Sequence, residues 1–115
     1  MTLGQKQRLF TKLIAQLITW AYEEGYEFTT GDFFRSPRAF GAMGTRRAYG
    51  SSNSNHKLKL AADLNLFIDG KFQTTTEAHR SIGEKWESMH ELCSWGGRFR
   101  NADGNHYSFE HHGRM

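Results

Sequence analysis

Two residue types that often define small folds are nearly missing from this chain: its 115 residues include one cysteine and one proline. Because Cys93 has no second cysteine with which to pair, an internal disulfide and a multi-cysteine zinc finger are both excluded. A single proline argues against a long proline-rich linker. No apolar run is long enough to cross a membrane, so we expect no stable membrane insertion. At this length the chain can bury a core of its own, and we expect one domain over residues 1–115.

The composition of the chain is that of a globular protein, with 37% hydrophobic and 14% aromatic residues. A net charge of +3 favours anionic partners such as nucleic acid, lipid headgroups or a cell wall. The basic residues of the first half are scattered and are not interleaved with aromatic residues, so we expect no nucleic-acid partner. With so little cysteine, any metal site must be built mainly from histidine and carboxylate side chains.

The N-terminal segment superficially resembles a signal peptide, because basic residues precede LIAQLITWA at residues 13–21. That run is short, is broken by Gln16 and lacks a small-x-small cleavage site. Its apolar residues fall at helical spacing, and Gly25 follows as a stop signal. We therefore predict an amphipathic helix at residues 3–24, no signal peptide, and a product that stays in the cytoplasm of a host cell until it is released.

The rest of the chain alternates strand patterns with a second helix. Leu60 to Ile68 alternates between an apolar and a mixed face, and Asp69-Gly70 is typical of a hairpin turn. The other predicted elements are a strand at 26–30, a loop at 41–55, a return strand at 71–73, a helix at 76–93 that begins with a Thr74-x-x-Glu77 capping box, and a final strand at 106–111. This order predicts an α+β domain, with an antiparallel sheet flanked by helices.

One aspartate, Asp63, interrupts the long predicted strand, and His56 precedes it by seven residues. An odd spacing would place the two on opposite faces of a strand, so a bend at residues 57–59 is needed to bring them together. Zinc binds imidazole and carboxylate ligands, and a catalytic zinc keeps three protein ligands and one open position. His106 is the best third ligand, and Asp103, three residues before it, is placed to act as general base.

Simpler interpretations of the same residues remain open. Asp63 can be a strand-edge carboxylate that caps a neighbour, His56 a surface loop residue, and Asp103 part of a plain turn. The four other histidines are assigned no ligand role. We predict that His79 and His90 face solvent from the second helix. His111 and His112 are expected in a frayed tail, although His111 can also line the site from the final strand.

Two motifs carry a resemblance to a known family. SNHKLKLAAD, residues 54–63, resembles the S-x-H-(six residues)-D signature of the peptidoglycan-cleaving zinc peptidases. WGGRFRNADGNHYSFEH, residues 95–111, is similar to the closing W-G-G…D/E-x-x-H element of that family. The family includes D-alanyl-D-alanine carboxypeptidases, the D,D-dipeptidases of vancomycin resistance and phage L-alanyl-D-glutamate endolysins. The resemblance extends over roughly residues 26–111 and implies a hedgehog/D,D-peptidase-like fold.

The resemblance also implies a role for each matching residue. Asp103 corresponds to the catalytic acid/base. Arg35 corresponds to an arginine that in relatives stabilises the developing oxyanion or holds a substrate carboxylate, although spacing alone would favour a surface arginine. Ser54 is expected to orient the first ligand through a hydrogen bond. The three zinc ligands implied by the resemblance are His56, Asp63 and His106.

The chain departs from the family pattern at a few positions. Lys59 stands where many relatives have glycine, and Ala39 and Phe40 stand where they have glutamine. Neither position supplies metal chemistry, but the departures mean that the resemblance does not define the details of substrate recognition. Trp95 of the closing element is either a wall of the substrate cleft or part of the core, and we favour the core.

The leading hypothesis is therefore a monomeric, zinc-dependent, endolysin-like peptidase whose substrate is peptidoglycan and whose target is the L-alanyl-D-glutamate bond. Within the family, the alternatives are D,D-carboxypeptidase and cross-link endopeptidase activity. A non-catalytic, zinc-stabilised cell-wall-binding domain is the alternative from another class. No repeat-type wall-binding module is present in the sequence, so we expect its positive charge to attract it to the wall.

Overall fold

The computed structural model of the chain describes residues 1–46 and 54–115, so most of the second half of the predicted 41–55 loop lies outside the described residues. The helices are α1 (Leu3–Glu23), α2 (Pro37–Phe40) and α3 (Arg80–Met89). The strands are β1 (Glu27–Thr30), β2 (Ala61–Ile68), β3 (Lys71–Phe72), β4 (Cys93–Trp95) and β5 (His106–Phe109). Short 3-10 helices occupy Asn55–Leu58, Glu77–His79 and Gly96–Arg98.

The strands of the described residues form one antiparallel sheet in the order β1-β2-β5-β4, and β3 pairs with the end of β2. The β2–β5 register places Asp63 directly opposite His106. The β2–β3 turn has positive φ angles at Asp69 (52°) and Gly70 (74°), as a two-residue hairpin requires. The predicted α+β class, with helices and an antiparallel sheet, is confirmed.

The two faces of strand β2 differ in burial. On its inner face Ala62, Leu64 and Leu66 are completely buried, as is Leu60 just before the strand, which confirms the predicted apolar face. On its outer face Asp63 is only partly buried. Because side chains alternate along a strand, the burial of its neighbours holds Asp63 on the other side of the sheet.

Helix α1 packs an apolar stripe against this core. Thr2 and Gln5 form a reciprocal capping box at its start, and Gly25 follows its end with a φ of 91°, so the predicted helix at 3–24 is confirmed within one residue. Its buried residues are Phe10, Leu13, Ile14, Leu17 and Ala21. Burial of each large apolar side chain is worth about 2 kcal/mol. No helix in the described ranges has the length and apolar character needed to cross a membrane.

The second predicted helix, at 76–93, is too long at its C-terminal end. Helix α3 ends at Met89, and His90 is extended, with φ −164° and ψ 151°. Cys93, predicted to be helical, lies in β4 and pairs with Phe109 of β5. Cross-strand pairing therefore overrides the helical spacing of the apolar residues at this point.

The predicted capping box at Thr74 and Glu77 is also wrong. The backbone N–H of Ala78 donates instead to the hydroxyl of Thr75 at 3.2 Å, and a 3-10 helix precedes α3. The local sequence offers three consecutive threonines, and the turn uses the middle one.

Candidate metal site

A tight bend brings His56 to Asp63. His56 lies in the 3-10 helix Asn55–Leu58, and Lys59 ends that helix in the left-handed conformation, with a φ of 57°. The bend lies within residues 57–59, as predicted. It leaves His56 Nε2 3.2 Å from Asp63 Oδ1. The positive φ also gives a physical reason for the glycine that the resembling family has at the position of Lys59.

The third side chain, that of His106, lies on the neighbouring strand β5. His106 faces Asp63 across the β2–β5 register, and its Nδ1 lies 3.5 Å from Asp63 Oδ1. One ligand atom from each of His56, Asp63 and His106 lies within 4.8 Å of the other two. The imidazoles are nearly inaccessible, with His56 1% and His106 6% exposed. The structure thus brings together the three residues that the sequence singled out as ligands.

The second ring nitrogen of each imidazole lies within hydrogen-bonding distance of a backbone oxygen. His56 Nδ1 lies 3.2 Å from the carbonyl oxygen of Phe33, and His106 Nε2 lies 2.9 Å from the backbone oxygen of Met115. These oxygens only accept hydrogen bonds, so the nitrogens that face them must be the N–H donors. In a neutral imidazole the opposite nitrogen then carries a lone pair. Both lone pairs are directed to the region of Asp63 Oδ1.

Two atoms of this cluster have no hydrogen bond. His56 Nε2 and Asp63 Oδ1 are buried and unpartnered within the described residues, although they are close to each other. A buried polar atom without a partner costs about 1–3 kcal/mol. A cation bound between two imidazole nitrogens and a carboxylate would satisfy both atoms, and this donor set suits zinc and related divalent ions. The residues therefore fit a metal ion.

Asp63 is held in the ionised form that metal binding requires. Burial raises the pKa of its carboxyl group, but the adjacent imidazoles of His106 and His56 outweigh burial, because a proton on either imidazole would pair with the carboxylate, and they hold that pKa well below its usual range. A ligand that is already deprotonated does not have to release a proton when a cation binds.

The segment after β1 is joined to Asp63 by its backbone. The N–H of Gly31 donates to the Asp63 carbonyl, and the N–H of Asp63 donates to the Asp32 carbonyl, both at 2.8 Å. A side chain at Gly31 would place its Cβ 3.0 Å from the Cβ of Asp63, so the close approach depends on glycine. These backbone contacts hold the segment that contains Arg35 next to Asp63.

Arg35 is a buried residue of the site. Its Nε donates to Asp32 Oδ2 at 3.1 Å, its Nη1 donates to Ser54 Oγ at 3.0 Å, and its Nη2 lies 3.8 Å from Asp63 Oδ2. Ser54 Oγ also accepts from the backbone N–H of His56 at 3.2 Å. Sequence reasoning missed Asp32, for which the only signal was its i, i+3 spacing from Arg35.

A cavity of about 420 Å³ opens over these residues and is lined by Arg35, Ser54, His56, His106 and Asp103, among others. Part of the surface of Asp103 stays open to solvent, and its carbonyl accepts from the N–H of His106 at 3.1 Å. Partial burial and the charge of Asp63 raise the pKa of Asp103, and the groups that lower it, the Arg35 guanidinium among them, do so by less. A carboxyl group with a raised pKa next to a candidate metal site suits proton transfer.

The prediction that His79 faces solvent is wrong. His79 is 3% exposed, and its Nδ1 shares a 2.7 Å hydrogen bond with the hydroxyl of Tyr107. Burial lowers the pKa of His79 to about 4. His90 is half-buried, and its Nδ1 accepts from the N–H of Leu92 at 3.0 Å. Tertiary packing, and not helical spacing, therefore decides the exposure of both histidines.

The last histidines lie outside the three-residue cluster. Nδ1 of His111 lies 3.1 Å from Nζ of Lys6, and His112 is exposed. Neither lines the cavity above the cluster. Trp95 is completely buried, and its Nε1 donates to the carbonyl of Gly104 at 2.7 Å, which agrees with a core position for its ring.

A comparison of the chain with protein-family models found no match, and neither did a comparison with curated proteins.

Proposed function

We propose that the protein is a metal-dependent peptidase of peptidoglycan, with zinc held by His56, Asp63 and His106. The observation that carries the proposal is the convergence of these three side chains beneath one cavity that Asp103 and Arg35 also line. The motifs that contain His56, Asp63, Asp103 and His106 resemble those of the peptidoglycan-cleaving zinc peptidases.

Bound zinc would polarise the scissile carbonyl and lower the pKa of water towards neutrality. Asp103 lines the cavity and is not one of the three ligands, so its carboxylate is free to take a proton from the attacking water. The same group then delivers that proton to the leaving amine. Its raised pKa brings the two protonation states closer in free energy near neutral pH and thus suits both transfers.

Arg35 supplies a fixed positive charge. Asp32 and Ser54 each accept one of its hydrogen bonds, so the planar guanidinium has one defined orientation at the cavity wall. In that position it can stabilise the negative charge that develops on the carbonyl oxygen or hold a carboxylate of the substrate.

The bond that we propose for cleavage is L-alanyl-D-glutamate, as in the phage endolysins that the motifs resemble. Arg35 and Arg114 line the same cavity, and the glutamate side of this bond carries carboxylates. D,D-carboxypeptidase and cross-link endopeptidase activity are the alternatives within the class. Mass spectrometry of digested muropeptides separates them, since loss of a terminal D-alanine and release of a stem peptide change the mass differently.

The proposal is tested with Asp103→Asn on purified cell walls. We expect the variant to bind zinc within about tenfold of the wild-type affinity and to lose at least about a hundredfold in lysis rate, because general-base groups contribute about 10²–10⁴-fold. Asp69→Asn is the matched control: it makes the same change in the β2–β3 turn, where asparagine tolerates the positive φ of 52°. Full lysis by Asp103→Asn would contradict the mechanism.

A further inference from the structure

A second cavity, of about 350 Å³, lies beside the first. Asp103 lines both, so the proposed general base stands between them. The wall of the second cavity is formed by β2, by β3 with the residues that follow it, and by the segment before β5. Among the residues that line it are Asn65, Phe72, Thr74, Thr76 and Asn105. Its volume is at the lower end of the range of ligand pockets, which is about 300–1,000 Å³.

The two cavities differ in charge. The metal-side cavity contains Arg35 and Arg114. Among the residues that the structure describes, no arginine or lysine lines the second cavity, and its histidine, His79, is neutral at pH 7 because burial lowers its pKa to about 4. Apart from Asp103, its polar groups are hydroxyls, amides and this imidazole. The second cavity therefore suits an uncharged polar group, and the first suits an anion.

Several polar side chains of the second cavity have unused hydrogen-bonding capacity. In the portion of the chain that the structure describes, no hydrogen bond with protein is made by the side chains of Asn65, Thr74, Thr76 or Asn105. Each amide offers two N–H donors and a carbonyl acceptor, and each hydroxyl offers one donor and two lone pairs. The cavity thus presents donors and acceptors in a form that matches hydroxyl and acetamido groups.

An exposed aromatic ring completes this lining. Phe72 is 56% exposed, and its ring centroid lies 5.5 Å from that of Phe67. Contact with Phe67 supports one side of the ring, while the other part of its apolar surface stays in water. A phenyl ring next to hydroxyl and amide groups is the chemistry that recognises a sugar, whose C–H face is apolar and whose edge carries hydroxyls.

We infer that the second cavity binds the N-acetylmuramyl sugar that is joined to the L-alanine of the substrate. The inference rests on the proposed function, and it defines which end of the substrate lies in which cavity. The sugar lies on the acyl side of the scissile bond, and D-glutamate, with its carboxylate, lies on the amine side towards Arg35. Asn65 follows Asp63 by two residues on the same face of β2, a displacement of about 7 Å. One alanine with its acyl group spans a similar distance.

The experiment compares two substrates that differ in the group on the alanine nitrogen, the whole muramyl group or an acetyl group: N-acetylmuramyl-L-alanyl-D-glutamate and N-acetyl-L-alanyl-D-glutamate. The wild type should have a kcat/KM about tenfold or more higher for the first. Phe72→Ala and Asn65→Ala should each remove most of that preference and leave cleavage of the acetyl substrate within about twofold. Phe34→Ala, which removes an exposed ring that lines neither cavity, should keep the preference.

Two results would overturn the inference while leaving the proposed function intact: equal kcat/KM of the wild type for both substrates, or equal losses on both substrates in the two variants. If the wild type cleaves neither substrate, the proposed function fails, and a titration with N-acetylmuramyl-L-alanine then decides the inference alone. Shifts of the Asn65 and Asn105 side-chain amide signals in NMR spectra, absent with N-acetyl-L-alanine, would support a sugar site. Unchanged signals would overturn it.

Discussion

Asp63 Oδ1 lies 3.2 Å from His56 Nε2, but the neutral imidazole has no proton on that nitrogen to share. Its N–H is on Nδ1, which faces the carbonyl oxygen of Phe33 at 3.2 Å. A lone pair and a carboxylate oxygen at this distance repel each other unless a cation or an added proton lies between them. The geometry of these two atoms therefore favours a bound cation between them.

The first prediction concerns the metal ligands. Asp63→Asn keeps the shape of the side chain but removes the negative charge shared by both imidazoles, so we expect zinc affinity to fall by more than about a hundredfold. Competition with a chromophoric chelator measures the affinity. Asp103→Asn, which changes a neighbouring carboxylate outside the three-residue cluster, should stay within about tenfold of the wild type. Equal losses in the two variants would argue against ligation by Asp63.

Arg35→Lys tests the fixed guanidinium. Lysine retains the charge but cannot donate to Asp32 and Ser54 with the same planar geometry. We expect kcat/KM to fall by about 10²-fold while zinc affinity changes little. The control is Arg38→Lys at an exposed position of α2, which should keep wild-type activity. An active Arg35→Lys enzyme would show that charge alone suffices.

The packing of Trp95 against α3 depends on Gly83. A Cβ at Gly83 would lie 2.1 Å from Cδ2 of the indole ring, so Gly83→Ala should lower the free energy of unfolding by about 3 kcal/mol. Gly4→Ala in α1 is the matched control, because its new Cβ would meet only the Arg8 guanidinium at 3.4 Å. That change should be neutral or stabilising by about 0.5 kcal/mol. Urea unfolding of both variants at pH 7 measures the difference.

His79 should make stability depend on pH. Burial lowers its pKa in the native state from 6.5 to about 4, so between these values the unfolded chain binds more protons than the native one. The stabilisation is complete above pH 6.5 and is lost as pH falls through 4, by an amount of about 3 kcal/mol. Urea unfolding of the wild type and of His79→Gln at both ends of this range isolates the effect. An equal pH dependence of the two proteins would contradict it.

The sequence predicted the parts of the fold that depend on local pattern. Alternation along β2 and helical spacing in α1 identify their buried faces, and the turn at Asp69-Gly70 follows from residue type. Strand β4 was missed because Cys93 continues the spacing of α3, and its pairing with Phe109 is a long-range contact that no local pattern shows.

The site was predictable to a similar extent. His56, Asp63 and His106 were singled out from spacing and residue type, and the structure brings them together. The contribution of Asp32 was not visible, because it depends on two backbone hydrogen bonds between the end of β1 and β2. The burial of His79 likewise depends on Tyr107, which is 28 residues away in the chain.

The central claim is that zinc bound at His56, Asp63 and His106 is required for cleavage of peptidoglycan. Its most direct test is a titration of zinc into chelator-treated, dialysed protein, with release of stem peptide from purified cell walls as the readout. We expect no release without metal, full release at one zinc per chain, and no recovery in Asp63→Asn at the same zinc concentration. Release by the metal-free protein, or none at saturating zinc, would contradict the account.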